Sequence, residues 1–174
     1  MKGINMRIKR IITLMLVGVL MACTLGCNKQ AQDEEYKGIE IDVKQTYEDM
    51  KNAVELPEMF EESSETDEDG SSFESLFDGY DYSGVKEYYY CSAQEGTPEE
   101  IAIIKVKDDK EADKLKKIVK SHMEARAAAY ATYDPQYVDV VNEGVVAAKE
   151  NYVMYAVGDF AFRSKAAFDN AFVE

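Results

Sequence analysis

The stretch Val85-Lys-Glu-Tyr-Tyr-Tyr-Cys-Ser92, followed after a short loop by Ile101-Ala-Ile-Ile-Lys-Val-Lys107, decides the fold. Both runs are rich in β-branched and aromatic residues, which is typical of β-strands. The loop between them contains Gly96 and Pro98. Two strands joined by a loop of this size most simply pair side by side, so the sequence predicts an antiparallel hairpin.

A second hairpin is predicted nearer the C terminus. Residues 144–148 and 152–157 are apolar runs of strand length, and Lys149-Glu150-Asn151 lies between them. Asparagine tolerates the left-handed backbone conformation, so we expect Asn151 to occupy the left-handed position of the turn.

Three helices are predicted around the two hairpins. They cover about residues 42–54, 110–130 and 160–172. Each has an aspartate at or just before its start that can cap its N terminus: Asp42, Asp108 or Asp109, and Asp159. The order is therefore α-β-β-α-β-β-α. This order predicts an α+β fold, a two-layer sandwich of one four-stranded antiparallel sheet with helices on one face. The other face of the sheet is expected to be open to solvent.

The N-terminal sequence has the features of an export signal. Lys2, Arg7, Lys9 and Arg10 precede an apolar run at residues 11–22. Twelve helical residues rise about 18 Å, which is too short for the roughly 30 Å hydrocarbon core of a membrane. A basic start and a short apolar core are typical of a signal peptide. An uncleaved N-terminal membrane anchor is the alternative interpretation.

Two cysteines are candidates for lipid modification. Leu20-Met-Ala-Cys23 resembles the lipobox of bacterial lipoproteins, and Thr24-Leu-Gly-Cys27 has the favoured glycine before its cysteine. We predict Cys23 as the modified residue, with Cys27 as the alternative. A covalent lipid of two or three acyl chains, at about 0.8 kcal/mol per buried methylene, holds a protein stably on a membrane. The predicted location is the outer face of the cytoplasmic membrane.

The sequence divides into three parts on this interpretation. Residues 1–22 are the signal peptide (1–26 if Cys27 is modified), residues 23–41 are a flexible tether, and residues 42–174 form one domain. Residues 61–72 are acidic and Ser-rich and are predicted to form a mobile loop within the domain. Without the leader, 16 Lys and Arg remain against 34 Asp and Glu, a net charge of −18. Such a charge disfavours nucleic acid as a partner.

No metal or other cofactor is predicted besides the lipid. Glu65, Asp67 and Asp69 alternate before Gly70 in the manner of a calcium-binding loop. The twelfth position of such a loop must supply a bidentate glutamate, and here it is Leu76. We therefore interpret the segment as a solvated loop.

No catalytic site is predicted either. Cys91 and the single histidine, His122, are the one pair that could act as nucleophile and base, and the sequence indicates no orienting group or oxyanion hole for them. Cys91 is predicted to be a buried free thiol, with a disulfide to Cys27 as the alternative. Glu99 and Glu100 are interpreted as turn residues.

Most of the domain, about residues 88–168, resembles a family of uncharacterised bacterial lipoproteins that is common in Gram-positive anaerobes and contains a domain of unknown function. The resemblance rests on the long charged helix and on four motifs: Pro98-Glu-Glu-Ile-Ala-Ile103, Val106-Lys-Asp-Asp109, Tyr133 with Pro135-Gln-Tyr137, and Lys149-Glu-Asn-Tyr-Val153. The family usually has glycine at the position of Glu150. The resemblance implies an exported lipoprotein, and it implies no activity, substrate or catalytic residue.

The sequence thus predicts a non-enzymatic binding or interaction module that is anchored to the membrane by its lipid. The expected interaction surface is an open sheet face with Tyr88, Tyr90, Ile101 and Ile103, because aromatic side chains bind sugars and protein partners well. The expected partner is an envelope protein or a glycan. A cell-envelope enzyme acting on peptide or glycan, and a structural or assembly lipoprotein, are the alternatives.

Overall fold

The computed structural model describes residues 38–65, 73–94 and 96–173. This part of the chain contains five β-strands and four α-helices. The described residues all belong to one compact unit. The predicted signal helix and most of the predicted tether lie outside the described residues, as does the greater part of the acidic loop.

The strands form one antiparallel sheet. They are β1 (Met59–Ser63), β2 (Val85–Ala93), β3 (Glu100–Val106), β4 (Val145–Lys149) and β5 (Tyr152–Val157), and they lie in the order β1-β2-β3-β5-β4. Both predicted hairpins are confirmed, β2 with β3 and β4 with β5. Pairing of β3 with β5 joins the hairpins into one sheet.

The prediction of four strands was wrong, because β1 adds a fifth at the edge beside β2. Strand β1 includes residues 61–63, the start of the segment 61–72 that was predicted to be a mobile acidic loop. An edge strand exposes many of its side chains, so acidic residues are accommodated there. Lys51 Nζ lies 2.7 Å from Glu61 Oε1, and Glu62 Oε2 accepts a hydrogen bond from the Phe73 N–H at 3.1 Å.

The three predicted helices begin and end close to the predicted positions, and a short helix before β4 is added to the predicted order. The helices are α1 (Val43–Asn52), α2 (Asp109–Tyr133), α3 (Val138–Asn142) and α4 (Ala161–Asn170). The Asp42 carboxylate accepts a hydrogen bond from the Gln45 N–H at 2.9 Å, and Asp108 accepts one from the Glu111 N–H at 2.7 Å. Both predicted caps are therefore confirmed. The N terminus of α4 has no side-chain cap, so the prediction for Asp159 was wrong.

Helices cover both faces of the sheet, which corrects the prediction of a two-layer sandwich with one open face. On the face that we name the α1–α4 face, those two helices bury the strand residues Tyr89, Cys91, Ile101, Ile103, Met154 and Ala156. On the opposite face, the α2 face, helix α2 and the segment 73–82 bury Tyr88, Tyr90, Ala102, Ile104, Val153 and Tyr155. Side chains on both sides of β2, β3 and β5 are apolar, and each side requires its own cover.

The turn of the second hairpin also differs from the prediction. Glu150, rather than Asn151, has the left-handed backbone, with φ of 54°. Asn151 is buried instead, and its Nδ2 donates a hydrogen bond to the Val106 carbonyl at 2.9 Å. The side chain of Asn151 thus ties the turn to β3.

Candidate functional site

The predicted interaction surface does not exist as a surface. Tyr88 and Tyr90 are 5% exposed, and Ile101 and Ile103 are fully buried. The tyrosines lie beneath α2 and the segment 73–82, whereas the isoleucines lie beneath α1 and α4 on the opposite face. The prediction was wrong because it left one face of the sheet without helices.

Cys91 and His122 do not form a pair. Cys91 lies on the α1–α4 face beside Tyr47, and burial raises the pKa of its thiol to about 11. His122 extends from α2 on the other face, where its ring packs edge-on against Phe77 at a centroid distance of 5.4 Å. The sheet separates the two side chains. Cys91 is a buried free thiol, as predicted.

The most organised group of polar side chains is centred on Glu100. This residue opens β3, and its side chain points to the α2 face with only 4% exposed. The Tyr90 hydroxyl donates a hydrogen bond to Glu100 Oε1 at 2.9 Å. Arg126 Nη1 lies 2.7 Å from Glu100 Oε2 and also donates to the Pro98 carbonyl at 3.2 Å. The arginine thus compensates a buried carboxylate and ties α2 to the loop before β3.

His122 completes this group, which we name the Glu100 cluster: Tyr90, Glu100, His122, Arg126 and Tyr155. His122 lies one helical turn before Arg126, and its Nε2 is 3.8 Å from Glu100 Oε2. The spacing of four residues places both side chains on the side of α2 that faces β3. Fourteen per cent of the histidine side chain and 21% of the arginine side chain are exposed, so the cluster lies at the margin of the core.

Two polar atoms of the cluster, His122 Nε2 and the Tyr155 hydroxyl, are buried without a hydrogen-bond partner among the described residues. Glu100 Oε2 is ion-paired with Arg126 Nη1 at 2.7 Å. The Tyr155 ring lies 6.4 Å from the His122 ring and 6.5 Å from the Tyr90 ring, centroid to centroid. Buried polar atoms normally have a partner, so unpaired ones close together identify a place where a polar molecule could bind.

Burial controls the protonation of the two hydroxyls. It raises the pKa of Tyr90, and the nearby Glu100 carboxylate raises it further. Burial raises the pKa of Tyr155 well above its ordinary value as well. Both hydroxyls therefore stay protonated at neutral pH and act as hydrogen-bond donors. Because the Tyr90 hydroxyl already donates to Glu100, the Tyr155 hydroxyl is the donor of the cluster that could hold a polar group.

Within the described residues, no group of three or more His, Cys, Asp or Glu side chains could hold a metal ion. At Glu100 the guanidinium of Arg126 occupies the position that a cation would take. None of the helices in the described ranges is long and apolar enough to cross a membrane.

The sequence interpretation missed the Glu100 cluster because Glu100 was interpreted as a turn residue. Two signals were present in the sequence. An acidic residue stands directly beside the apolar run Ile101-Ala-Ile-Ile104, and His122 and Arg126 recur at helical spacing close to the core positions Val119 and Met123. An acid at a strand end and two basic side chains on one helix face form an ion pair when the helix packs on that strand.

Comparison with known proteins identifies a family and no relative of known function. No curated protein and no solved structure matches the chain significantly. The model of the family DUF4358, described as a domain of unknown function, matches residues 58–158. The match spans all five strands together with α2 and α3, and it leaves α1 and α4 outside. Because the match covers more than half of the chain, the protein belongs to the DUF4358 family.

Proposed function

We propose that this protein is an exported lipoprotein whose domain acts as a non-enzymatic binding module on the outer face of the cytoplasmic membrane. The observation that carries the proposal is the N-terminal sequence, in which four basic residues, a short apolar run and a lipobox-like cysteine follow one another. Cys23 is the proposed site of lipid attachment, and Cys27 is the alternative.

The domain is compatible with such an anchor. Within the described residues the first helix begins at Val43, and Glu40 and Ile41 are hydrogen-bonded to Tyr152. These residues all lie C-terminal to the proposed cleavage site. Between Cys23 and Glu40 the chain has 16 residues, which span at most about 55 Å when extended.

Intact mass spectrometry of the protein from membranes of its host tests the anchor. We expect the mass of a chain that begins at Cys23, increased by a diacylglycerol group, and we expect Cys23→Ser to leave an unprocessed precursor. Cys27→Ser is the matched control and should be processed normally. A chain that retains residue 1 and carries no lipid would refute the proposal.

The second candidate is a cell-envelope enzyme that acts on peptide or glycan. One observation favours it: the buried His122 Nε2, which has no hydrogen-bond partner among the described residues, lies 3.8 Å from Glu100 Oε2, the oxygen that Arg126 ion-pairs. A carboxylate beside an imidazole is a common arrangement for general acid–base catalysis. If the protein is an enzyme of this kind, His122→Gln should abolish turnover of envelope peptide or glycan while the fold is retained. Equal turnover by both proteins would exclude His122 as the base.

A further inference from the structure

The outer edge of β4 carries unpaired backbone groups. Two residues, Glu150 and Asn151, connect Lys149 to its partner Tyr152, and the register continues through Ala147 with Met154 and Val145 with Ala156. In a hairpin of this type the residues flanking the turn are hydrogen-bonded to each other, and the pattern then alternates. Val145, Ala147 and Lys149 thus direct their N–H and C=O groups to β5.

Val146 and Ala148 direct their backbone N–H and C=O groups away from the sheet. Because β4 pairs only with β5, these two N–H and two C=O groups have no hydrogen-bond partner among the described residues. All five residues of the strand are half-buried. The edge therefore offers two donors and two acceptors in a regular row.

This edge lacks the features that usually prevent strand addition. Natural edge strands are protected by proline, by a β-bulge or by charged side chains. The strand Val145-Val-Ala-Ala-Lys149 has no proline, its register with β5 is regular, and its single charge is at one end. By contrast, the other edge strand, β1, carries Glu61 and Glu62.

We propose that β4 is the interface of a symmetric homodimer, in which two copies pair antiparallel around a two-fold axis at Ala147. The outward N–H and C=O groups of Val146 then pair with those of Ala148 in the second copy, and those of Ala148 pair with Val146 of the second copy. All of these groups are thereby hydrogen-bonded. Ala147 meets its own equivalent in a pair without hydrogen bonds, where Cα atoms approach to about 4.5 Å. A small side chain suits that position.

The charges near the edge are compatible with a second copy of this chain. In the antiparallel register Lys149 lies opposite Val145, so the two lysines are at opposite ends of the paired strands. On the α2 face, Lys120 and Glu124 line a groove of about 200 Å³ beside Val146. A two-fold axis reverses the direction of the helix, so the order Lys120 then Glu124 in one copy runs opposite to the same order in the other.

Cysteine cross-linking of the full chain in the cells that produce it tests this register. In the dimer, Cα atoms at position 147 lie within disulfide reach, whereas those at position 145 are about 14 Å apart, well beyond the roughly 7 Å limit. We expect Ala147→Cys to give at least about tenfold more disulfide-linked dimer than Val145→Cys after mild oxidation. Val145 is the matched control, since it is on the same strand and the same face and is likewise half-buried.

Wild type measures the background from the native cysteines. Equal cross-linking at positions 145 and 147 overturns the proposal. Cross-linking at position 147 that does not exceed wild type also overturns it, and this is the result expected if the edge binds a peptide of another protein.

A second variant tests the backbone bonds. Ala148→Pro removes an outward N–H and leaves the ladder to β5 intact, which is the setting in which edge strands tolerate proline. Combined with Ala147→Cys, it should reduce the disulfide-linked dimer at least about tenfold, with an unchanged circular dichroism spectrum. Undiminished cross-linking in this folded double variant would overturn the proposed strand pairing.

Discussion

Replacing Arg126 by methionine should destabilise the domain by about 3 kcal/mol, because it leaves the Glu100 carboxylate buried without its positive partner. Removing one member of a buried ion pair typically costs about 3–5 kcal/mol. The lower end applies here, since Glu100 is 4% exposed but Arg126 is 21% exposed and partly hydrated. Methionine keeps much of the apolar stem of arginine, so the loss reports the charge rather than a cavity.

Urea unfolding followed by circular dichroism measures this loss, since the unfolding midpoint falls in proportion to the free energy at constant slope. Lys117→Met is the matched control: the side chain is exposed on the same helix, and its change should stay within about 0.5 kcal/mol. The double variant Glu100→Gln/Arg126→Met should be more stable than the sum of the single effects predicts, because the buried charge is gone. If Arg126→Met unfolds with the same free energy as Lys117→Met, the cluster does not stabilise the fold as argued.

Four further predictions concern Cys91, Glu150 and Gly158. At pH 8 native Cys91 should react with a thiol reagent about a hundredfold more slowly than in urea, because a pKa of about 11 instead of 9.0 reduces the thiolate fraction; peptide mass spectrometry of the alkylated protein measures this. The raised pKa also means that the folded state retains a proton which the unfolded state releases, so stability should fall as the pH rises from about 9 to about 11, and Cys91→Ala should show a smaller fall in urea titrations. Glu150→Gly should raise the free energy of unfolding by up to about 1 kcal/mol, since φ is 54°, whereas Glu143→Gly, at φ −81°, should not raise it; thermal melts compare the two. Gly158→Ala should destabilise by about 2 kcal/mol or more in the same melts, because φ is 138° and the new Cβ would lie 2.6 Å from Phe160 Cε1.

Local signals in the sequence predicted most of the elements. The two hairpins follow from runs of β-branched and aromatic residues, and the starts of α1 and α2 follow from Asp42 and Asp108, whose carboxylates accept the expected capping bonds. These features depend on residues that are close in the chain. They can therefore be recognised without knowledge of the tertiary structure.

The number of layers depends on contacts between distant residues, and it was predicted wrongly. The run Tyr152-Val-Met-Tyr-Ala-Val157 has no polar alternation, and all six residues are buried. An unbroken apolar run indicates burial on both sides of a strand. An antiparallel sheet commonly has one face open to solvent, and the predicted interaction surface assumed such a face at residues that are in the core.

The Glu100 cluster was missed for a related reason. Glu100, Tyr90 and His122 are separated by 10 to 32 residues in the chain and are brought together only by the register of β2 with β3 and by the packing of α2 on β3. Neither the register nor the rotation of a helix about its axis can be read from single residues. A charged residue beside a buried strand was the one indication that a partner was needed.

The two helices of the α1–α4 face determine which N- and C-terminal boundaries a truncated form of this protein can have. The family match ends at residue 158 and begins at residue 58, so a truncated protein with those boundaries would lack both α1 and α4. Ile101, Ile103 and Met154, which are fully buried in the complete domain, would then be exposed together along the middle of the sheet. A contiguous apolar area of this kind promotes aggregation. Recombinant work on the isolated domain should therefore start before Asp42 and extend at least to Phe172, whose ring packs against Phe168 and Tyr152.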